Sequence, residues 1–207
     1  MDRAAGTDKR GHTMIKKENY IEENALLNKA IKYAVEKHSG QLRKGTHIPY
    51  IVHPMEVMAI LNEMRAGMTV MIAGVLHDTV EDTSATIDDI IREFGEDVAD
   101  LVGNHTEDKS KTWFQRKSQG LEELAEGSFE LKCLVLADKL SNIRNMARDA
   151  RLEGEEYWDR FNAPKEKQAW YYRGAAKAME ELKNYEYTCT RYKEYCDLVL
   201  ETFGEEE

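Results

Sequence analysis

Thr69-Val70-Met71-Ile72-Ala73-Gly74-Val75-Leu76-His77-Asp78 is apolar on nearly every side until it turns polar at His77, and the polar run continues as Thr79-Val80-Glu81-Asp82-Thr83. A surface helix shows one apolar stripe, whereas a helix that is apolar all round belongs in a core. The stretch therefore reads as a short central helix with a polar end. Working outward, Leu26, Leu27, Ala30, Ile31, Ala34 and Val35 recur at helical spacing up to Gly40, which marks a helix with one buried face. Pro54 suits the first position of a second helix through Val57, Met58 and Leu61. Thr86 opens another, which Gly95 closes. Further helices are expected at about 97–105, 113–125, 129–148, 165–183 and 186–203, with Gly103, Gly120 and Gly154 as breaks. Val/Ile/Thr alternation is scarce, so strands are not expected. The fold class is all-α, a single bundle of about eight or nine helices.

The 207 residues fit one domain with tails. Residues 1–23 begin almost without apolar content and read as a flexible segment, 24–184 as the domain, and 185–207 as a C-terminal helical extension that serves packing or association. The formal charge of −10 argues against a binder of long nucleic acid, whose footprint is a basic excess. No apolar stretch approaches the ~20 residues of a membrane span, and no signal-peptide pattern opens the chain. Cys133, Cys189 and Cys196 lack metal-type spacing and form no disulfide framework, so a reducing cytoplasm is the expected location. The acidity is uneven. Residues 103–151 carry a net charge of +1, through Lys109, Lys111, Arg116, Lys117, Lys139, Arg144, Arg148 and Arg151 among others. Charge acts over about 8–10 Å, so a local cationic pocket is compatible with an acidic chain.

Three apolar segments each deliver polar groups that do not belong in a core. His77 and Asp78 follow the central helix, and neighbours about 100° apart on a helix can meet one ion only from its end. His53 stands between apolar residues in Tyr50-Ile-Val-His53-Pro54, and Asp138 interrupts Leu134-Val-Leu-Ala-Asp138-Lys139-Leu140. A buried carboxylate costs several kcal/mol unless it is paired or metal-bound. The adjacent Lys139 points elsewhere on a helix and reads as a poor partner. His53, His77, Asp78 and Asp138 are therefore the expected ligands of one metal ion. With no cysteine among them a closed structural zinc site is not expected, and nitrogen and oxygen donors suit Mn²⁺, Fe²⁺ or another borderline divalent ion. Such an ion lowers the pKa of bound water, while additional Lys and Arg are needed to hold phosphates.

His53, the His77-Asp78 pair and the distant Asp138 resemble the H…HD…D signature of the HD phosphohydrolase superfamily. The surroundings sharpen this. Arg43-Lys44-Gly-Thr-His-Ile-Pro-Tyr-Ile-Val-His53-Pro54, His77-Asp78-Thr-Val-Glu81-Asp82-Thr83 and Leu136-Ala-Asp138-Lys139-Leu-Ser-Asn142-Ile-Arg144 resemble the hydrolase domain of RelA/SpoT-type alarmone enzymes, over about residues 24–183. The resemblance implies a small, stand-alone HD-domain hydrolase that removes the 3′-pyrophosphate of ppGpp or pppGpp with Mn²⁺, other divalent ions such as Fe²⁺, Zn²⁺ or Ni²⁺ being alternatives. It implies His53, His77, Asp78 and Asp138 as metal ligands, and Glu81 and Asp82 as the acidic pair that positions or activates water and assists proton transfer. Arg43 and Lys44 match the nucleotide-base end of the pocket. Asn142, with Lys139 and Arg144, matches the nucleotide-holding part of the Asp138 helix. Lys109, in Thr106-Glu-Asp-Lys109-Ser110, is placed near phosphate and Tyr171 as a pocket aromatic. The expected partner is a small guanosine nucleotide, with neither long nucleic acid nor membrane, and the sequence leaves the oligomeric state open. Two alternatives share the metal site: an HD hydrolase of another phosphorylated nucleotide or a cyclic-nucleotide bond, and a catalytically silent nucleotide-sensing domain. The 149–164 connection, with Tyr157, Trp158 and Phe161, is less familiar and is expected to cover the pocket.

Overall fold

A computed structural model describes residues 17–105 and 110–205. The chain forms α1 (Lys17–Lys37), α2 (Val52–Glu63), α3 (Met68–Leu76), α4 (Thr79–Asp82), α5 (Ile87–Phe94), α6 (Glu96–His105), α7 (Trp113–Glu126), α8 (Phe129–Glu153), α9 (Lys165–Ala178) and α10 (Cys189–Phe203). Segments of 3-10 helix occupy Gly154–Arg160 and Glu180–Asn184. Among the described residues there is no strand, as expected. An isolated antiparallel bridge between Leu42 and Pro49 closes the turn that carries Arg43 and Lys44.

α3 is the centre of the bundle, as its all-round apolar sequence requires. It packs on α1, α2, α6 and α8, and Val70, Ile72, Ala73, Val75 and Leu76 are buried. Each fully buried Val, Ile or Leu contributes about 1.5–3 kcal/mol. That packing fixes the helix end from which His77 and Asp78 project. α8 supplies the other half of the core through Leu134, Leu136, Leu140 and Ile143. α10 lies on α8 and α9, where Tyr195 is fully buried and its hydroxyl donates to the Tyr172 carbonyl at 2.9 Å. No helix of the described residues is long and apolar enough to cross a membrane.

Several boundaries differ from the sequence reading. Residues 1–16 of the expected N-terminal segment lie outside the described residues, and α1 begins at Lys17, ahead of residue 24. α2 starts at Val52, with Pro54 inside its first turn, where a missing N–H is tolerated. Gly103 and Gly120 do not break α6 and α7. Gly95 at φ 92° and Gly154 at φ 69° end α5 and α8 in a region open to glycine at little cost, whereas Gly127 ends α7 at φ −67°. The expected 149–164 connection is largely helical, being the last turn of α8 followed by a 3-10 segment. The single turn α4 was not expected from the polar run that encodes it. Thr86 caps α5 as expected, in a capping box with Asp89.

Candidate active site

The helical path ends at Leu76, and Asp78 takes φ −93° and ψ −5° before α4 begins. That break lets two adjacent residues face one point. His77 Nε2 lies 3.0 Å from Asp78 Oδ2 and 3.7 Å from Asp138 Oδ1. His53 Nε2, from the first turn of α2, lies 3.1 Å from Asp138 Oδ1 and 3.6 Å from Asp78 Oδ2. The two imidazoles meet edge to face with centroids 5.1 Å apart. One donor atom each from His53, His77 and Asp138 falls within 4.8 Å of the others. All four sequence-expected ligands thus converge, and both histidines and Asp138 are buried.

The donor set fits a divalent ion. His77 Nδ1 lies 2.8 Å from the Gly74 carbonyl oxygen, which only accepts, so Nδ1 carries a proton and Nε2 faces the carboxylates. Burial opposes charge on His77, yet Asp78 and Asp138 outweigh it and hold its pKa well above the ordinary imidazole value. At His53 burial prevails and lowers the pKa. For Asp78 burial acts upward, but His77 and then His53 outweigh it and lower the pKa. Two carboxylates facing two imidazoles require a cation between them, whether a proton or a metal ion. Tyr50 adds a hydroxyl that donates to Asp78 Oδ2 at 2.5 Å, and burial followed by the Asp78 charge pushes its pKa upward.

Two cavities flank the cluster and share Tyr50, His53 and Asn142. The first, about 400 Å³, is bordered by Asp78, Glu81, Asp138, Lys139, Arg116, Lys117 and Tyr171. Two ammonium groups lie over the Tyr171 ring, Lys117 Nζ 4.5 Å and Lys139 Nζ 5.3 Å from its centroid. Lys139 is a correction to the sequence reading. Its long side chain bends back, and Nζ reaches Asp138 Oδ2 at 2.8 Å although the two residues are adjacent. Burial acts downward on its pKa, but Asp138, Tyr171 and Tyr172 outweigh it, so the ammonium stays charged.

The second cavity, about 270 Å³, is bordered by Arg43, Lys44, Arg148, Tyr157, Arg160 and Phe161. Tyr157 and Arg160 of the 3-10 segment Gly154–Arg160 border it, with the Arg160 guanidinium 4.4 Å from the Tyr157 ring. Arg43 Nη2 donates to Asn142 Oδ1 at 2.9 Å, and Asn142 Nδ2 donates to Asp138 Oδ1 at 2.7 Å, which links this cavity to the ligand cluster.

Two expected residues stand elsewhere. Arg144 borders neither cavity and instead binds Glu194 on α10, with Nε and Nη2 each 2.8 Å from Oε1. Asn142, four residues past Asp138, returns to the same helix face, whereas Arg144, six past, falls on the far side. Asp82 is exposed and borders neither cavity, while Glu81 faces the first. Lys109 lies outside the described residues. Sequence reasoning gave no role to Tyr50, Arg116, Lys117 or Arg160. The near-neutral charge of residues 103–151 carried the signal for Arg116 and Lys117, but charge alone did not say which cations share a face.

The family model described as an HD domain matches residues 30–161. The chain is 41% identical over 128 residues to guanosine-3′,5′-bis(diphosphate) 3′-pyrophosphohydrolase MESH1 of Xenopus tropicalis, covering 60% of this chain and 71% of that protein. Among solved structures it is similar to lmo0812 from Listeria monocytogenes, at TM-score 0.66 and 37% identity over 74% of this chain and 99% of that one. It is also similar to a metazoan ortholog of SpoT described as hydrolysing ppGpp, at TM-score 0.71 and 27% identity over 87% of this chain and 97% of the other.

Proposed function

The chain belongs to the HD-domain family and to its RelA/SpoT-type hydrolases, and from that premise we propose that it removes the 3′-pyrophosphate of ppGpp or pppGpp, giving GDP or GTP. The observation that carries the reading is the cluster of His53, His77 and Asp138, with Asp78 against both imidazoles, set between two cation-bearing cavities, with Glu81 facing the first. Manganese is the proposed ion and the cytoplasm the proposed location.

His53, His77, Asp78 and Asp138 would hold the metal, which when bound supplies Lewis-acid charge and acidifies a water molecule. Arg43 and Lys44 hold the base end in the second cavity. The 3′-substituent then lies at the ligand cluster, and its outer phosphate points into the first cavity toward Lys139, Lys117 and Arg116. Those cations neutralise charge that grows as the phosphorus centre is attacked. Glu81 takes a proton from the attacking water, whose oxygen bonds to the phosphorus. The bond between that phosphorus and the ribose 3′-oxygen breaks, and the 3′-oxygen leaves as a hydroxyl with the proton that Glu81 took from the water. Asp82, exposed beside Glu81, passes to solvent the proton that the new P–OH group of the pyrophosphate gives up.

The test is hydrolysis of ppGpp by the Mn²⁺-supplemented protein with product identification. GDP and pyrophosphate are expected, and Asp78→Ala should abolish both. Inert ppGpp, or undiminished turnover by Asp78→Ala, would sink the reading.

A further inference from the structure

Ser141, on α8, is fully buried and takes no part in the chemistry above. Its Oγ lies 2.8 Å from His53 Nδ1 and 2.9 Å from Glu56 Oε2. An ionised carboxylate only accepts, so the hydroxyl donates to Glu56 and its oxygen accepts from His53 Nδ1–H. This order leaves the Nε2 lone pair of His53 directed at Asp78 and Asp138. Glu56 is itself held. Arg144 Nη1 lies 3.7 Å from Glu56 Oε1, and the same guanidinium is anchored by Glu194 of α10 at 2.8 Å. Arg191 ties α10 to α2 a second time, pairing with Glu194 and reaching Glu63 Oε2 at 3.5 Å.

We propose that Glu56 and Ser141 are positioning residues of the metal centre, presenting His53 to the ion through Nε2, and that Glu194 fixes Glu56 through Arg144. The C-terminal helix is then part of the metal site's support. The physical ground is general: a ligating histidine whose second N–H is held by an acceptor keeps its tautomer and ring orientation, and losing that acceptor costs about 10–100-fold in metal affinity. A Ser141 that merely fills space would be replaced by alanine at little cost to the metal. The inference rests on the site being a metal centre and not on the substrate.

The experiment uses the full chain, Zn²⁺ as a diamagnetic probe and no nucleotide. In the Zn²⁺-loaded protein, the Nδ1–H protons of His53 and His77 should both give slowly exchanging downfield resonances. Ser141→Ala should remove the His53 resonance, retain that of His77 on the Gly74 carbonyl, and weaken Zn²⁺ binding by about 10–100-fold. Glu56→Gln, at a partly exposed side chain whose replacement spares the core, should move the His53 resonance upfield and weaken Zn²⁺ binding less. Glu194→Gln should act in the same direction. Unchanged His53 resonance and Zn²⁺ affinity in Ser141→Ala and Glu56→Gln would overturn the proposal, as would loss of both histidine resonances together. A silent Glu194→Gln would remove α10 from it. Failure to hydrolyse ppGpp tells only against the proposed substrate.

Discussion

A Cβ on Gly74 would lie 2.4 Å from Cδ1 of Leu61, so α3 is seated on α2 as closely as a bare backbone permits. The same residue's carbonyl accepts from His77 Nδ1. Gly74 thus sets both the spacing of the two helices that deliver His53 and His77 and the orientation of one ring.

Gly74→Ala tests that arrangement. Alanine gains up to about 1 kcal/mol in helix propensity, but overpacking a core costs about 1–3 kcal/mol. Leu61 is fully buried, and Val57 Cγ1, one turn earlier on α2, would lie 3.3 Å from the new Cβ, so the neighbours have little room to give. The expected outcome is a lower Tm together with weaker Mn²⁺ binding, read by thermal unfolding with and without the ion. A raised Tm with unchanged binding would contradict it.

Tyr50→Phe removes a hydroxyl that donates to Asp78 without removing a ligand. Hydrogen bonds to charged groups contribute about 1.5–3 kcal/mol, so Mn²⁺ affinity should fall by about tenfold or more. Asp78→Ala removes the carboxylate itself and should exceed the about 10–100-fold attached to outer partners. Calorimetric titration with Mn²⁺ ranks the two, and equal losses would mean that Tyr50 acts on more than Asp78.

Much of this site was legible because its chemistry contradicts its surroundings. His77, Asp78 and Asp138 stand in apolar runs, and polar groups in such runs must find partners, so convergence of the three could be read before any geometry. The all-round apolar α3 likewise had no place but the centre. What remained illegible depends on side-chain reach and on which way a helix faces. Adjacent residues diverge on a helix, which argues against Lys139 as the partner of Asp138, yet its flexible stem carries Nζ back to Asp138. Arg144 was grouped with Asn142 by proximity in sequence, but two residues turn a helix by about 200° and send it to Glu194. The Ser141–Glu56 contact joins residues far apart in the chain and leaves no local signal.

Metal affinity should rise with pH. His77 has a raised pKa, so in the metal-free protein it holds a proton that must leave when an ion binds. The sign follows: protons favour the metal-free form, and acid releases metal. His53 has a lowered pKa and offers no competing proton near neutrality. Mn²⁺ affinity should therefore increase by about tenfold per pH unit until His77 titrates in the free protein, with one proton released per ion. Titrations in buffers of different ionisation enthalpy measure that proton directly. An affinity that is flat between about pH 6 and pH 8, the range of histidine titration, would exclude His77 as the competing group.

Tyr171 engages two cations at once, with Lys117 Nζ 4.5 Å and Lys139 Nζ 5.3 Å from its ring centroid. A cation over an aromatic face gains about 0.5–1 kcal/mol when exposed and about 2 or more when desolvated. Tyr171→Phe keeps the ring and should leave the Michaelis constant for ppGpp nearly unchanged. Tyr171→Leu keeps an apolar side chain but removes the ring that both ammonium groups stand over, and should raise that constant severalfold. Lys117→Ala removes a cavity cation that the proposed mechanism sets against phosphate, and since a hydrogen bond to a charged group contributes about 1.5–3 kcal/mol, a rise of about tenfold or more is expected, shrinking as salt increases. The order Phe, then Leu, then the lysine deletion is the signature of an aromatic that organises charge. Equal defects in Tyr171→Phe and Tyr171→Leu would instead assign the role to the hydroxyl.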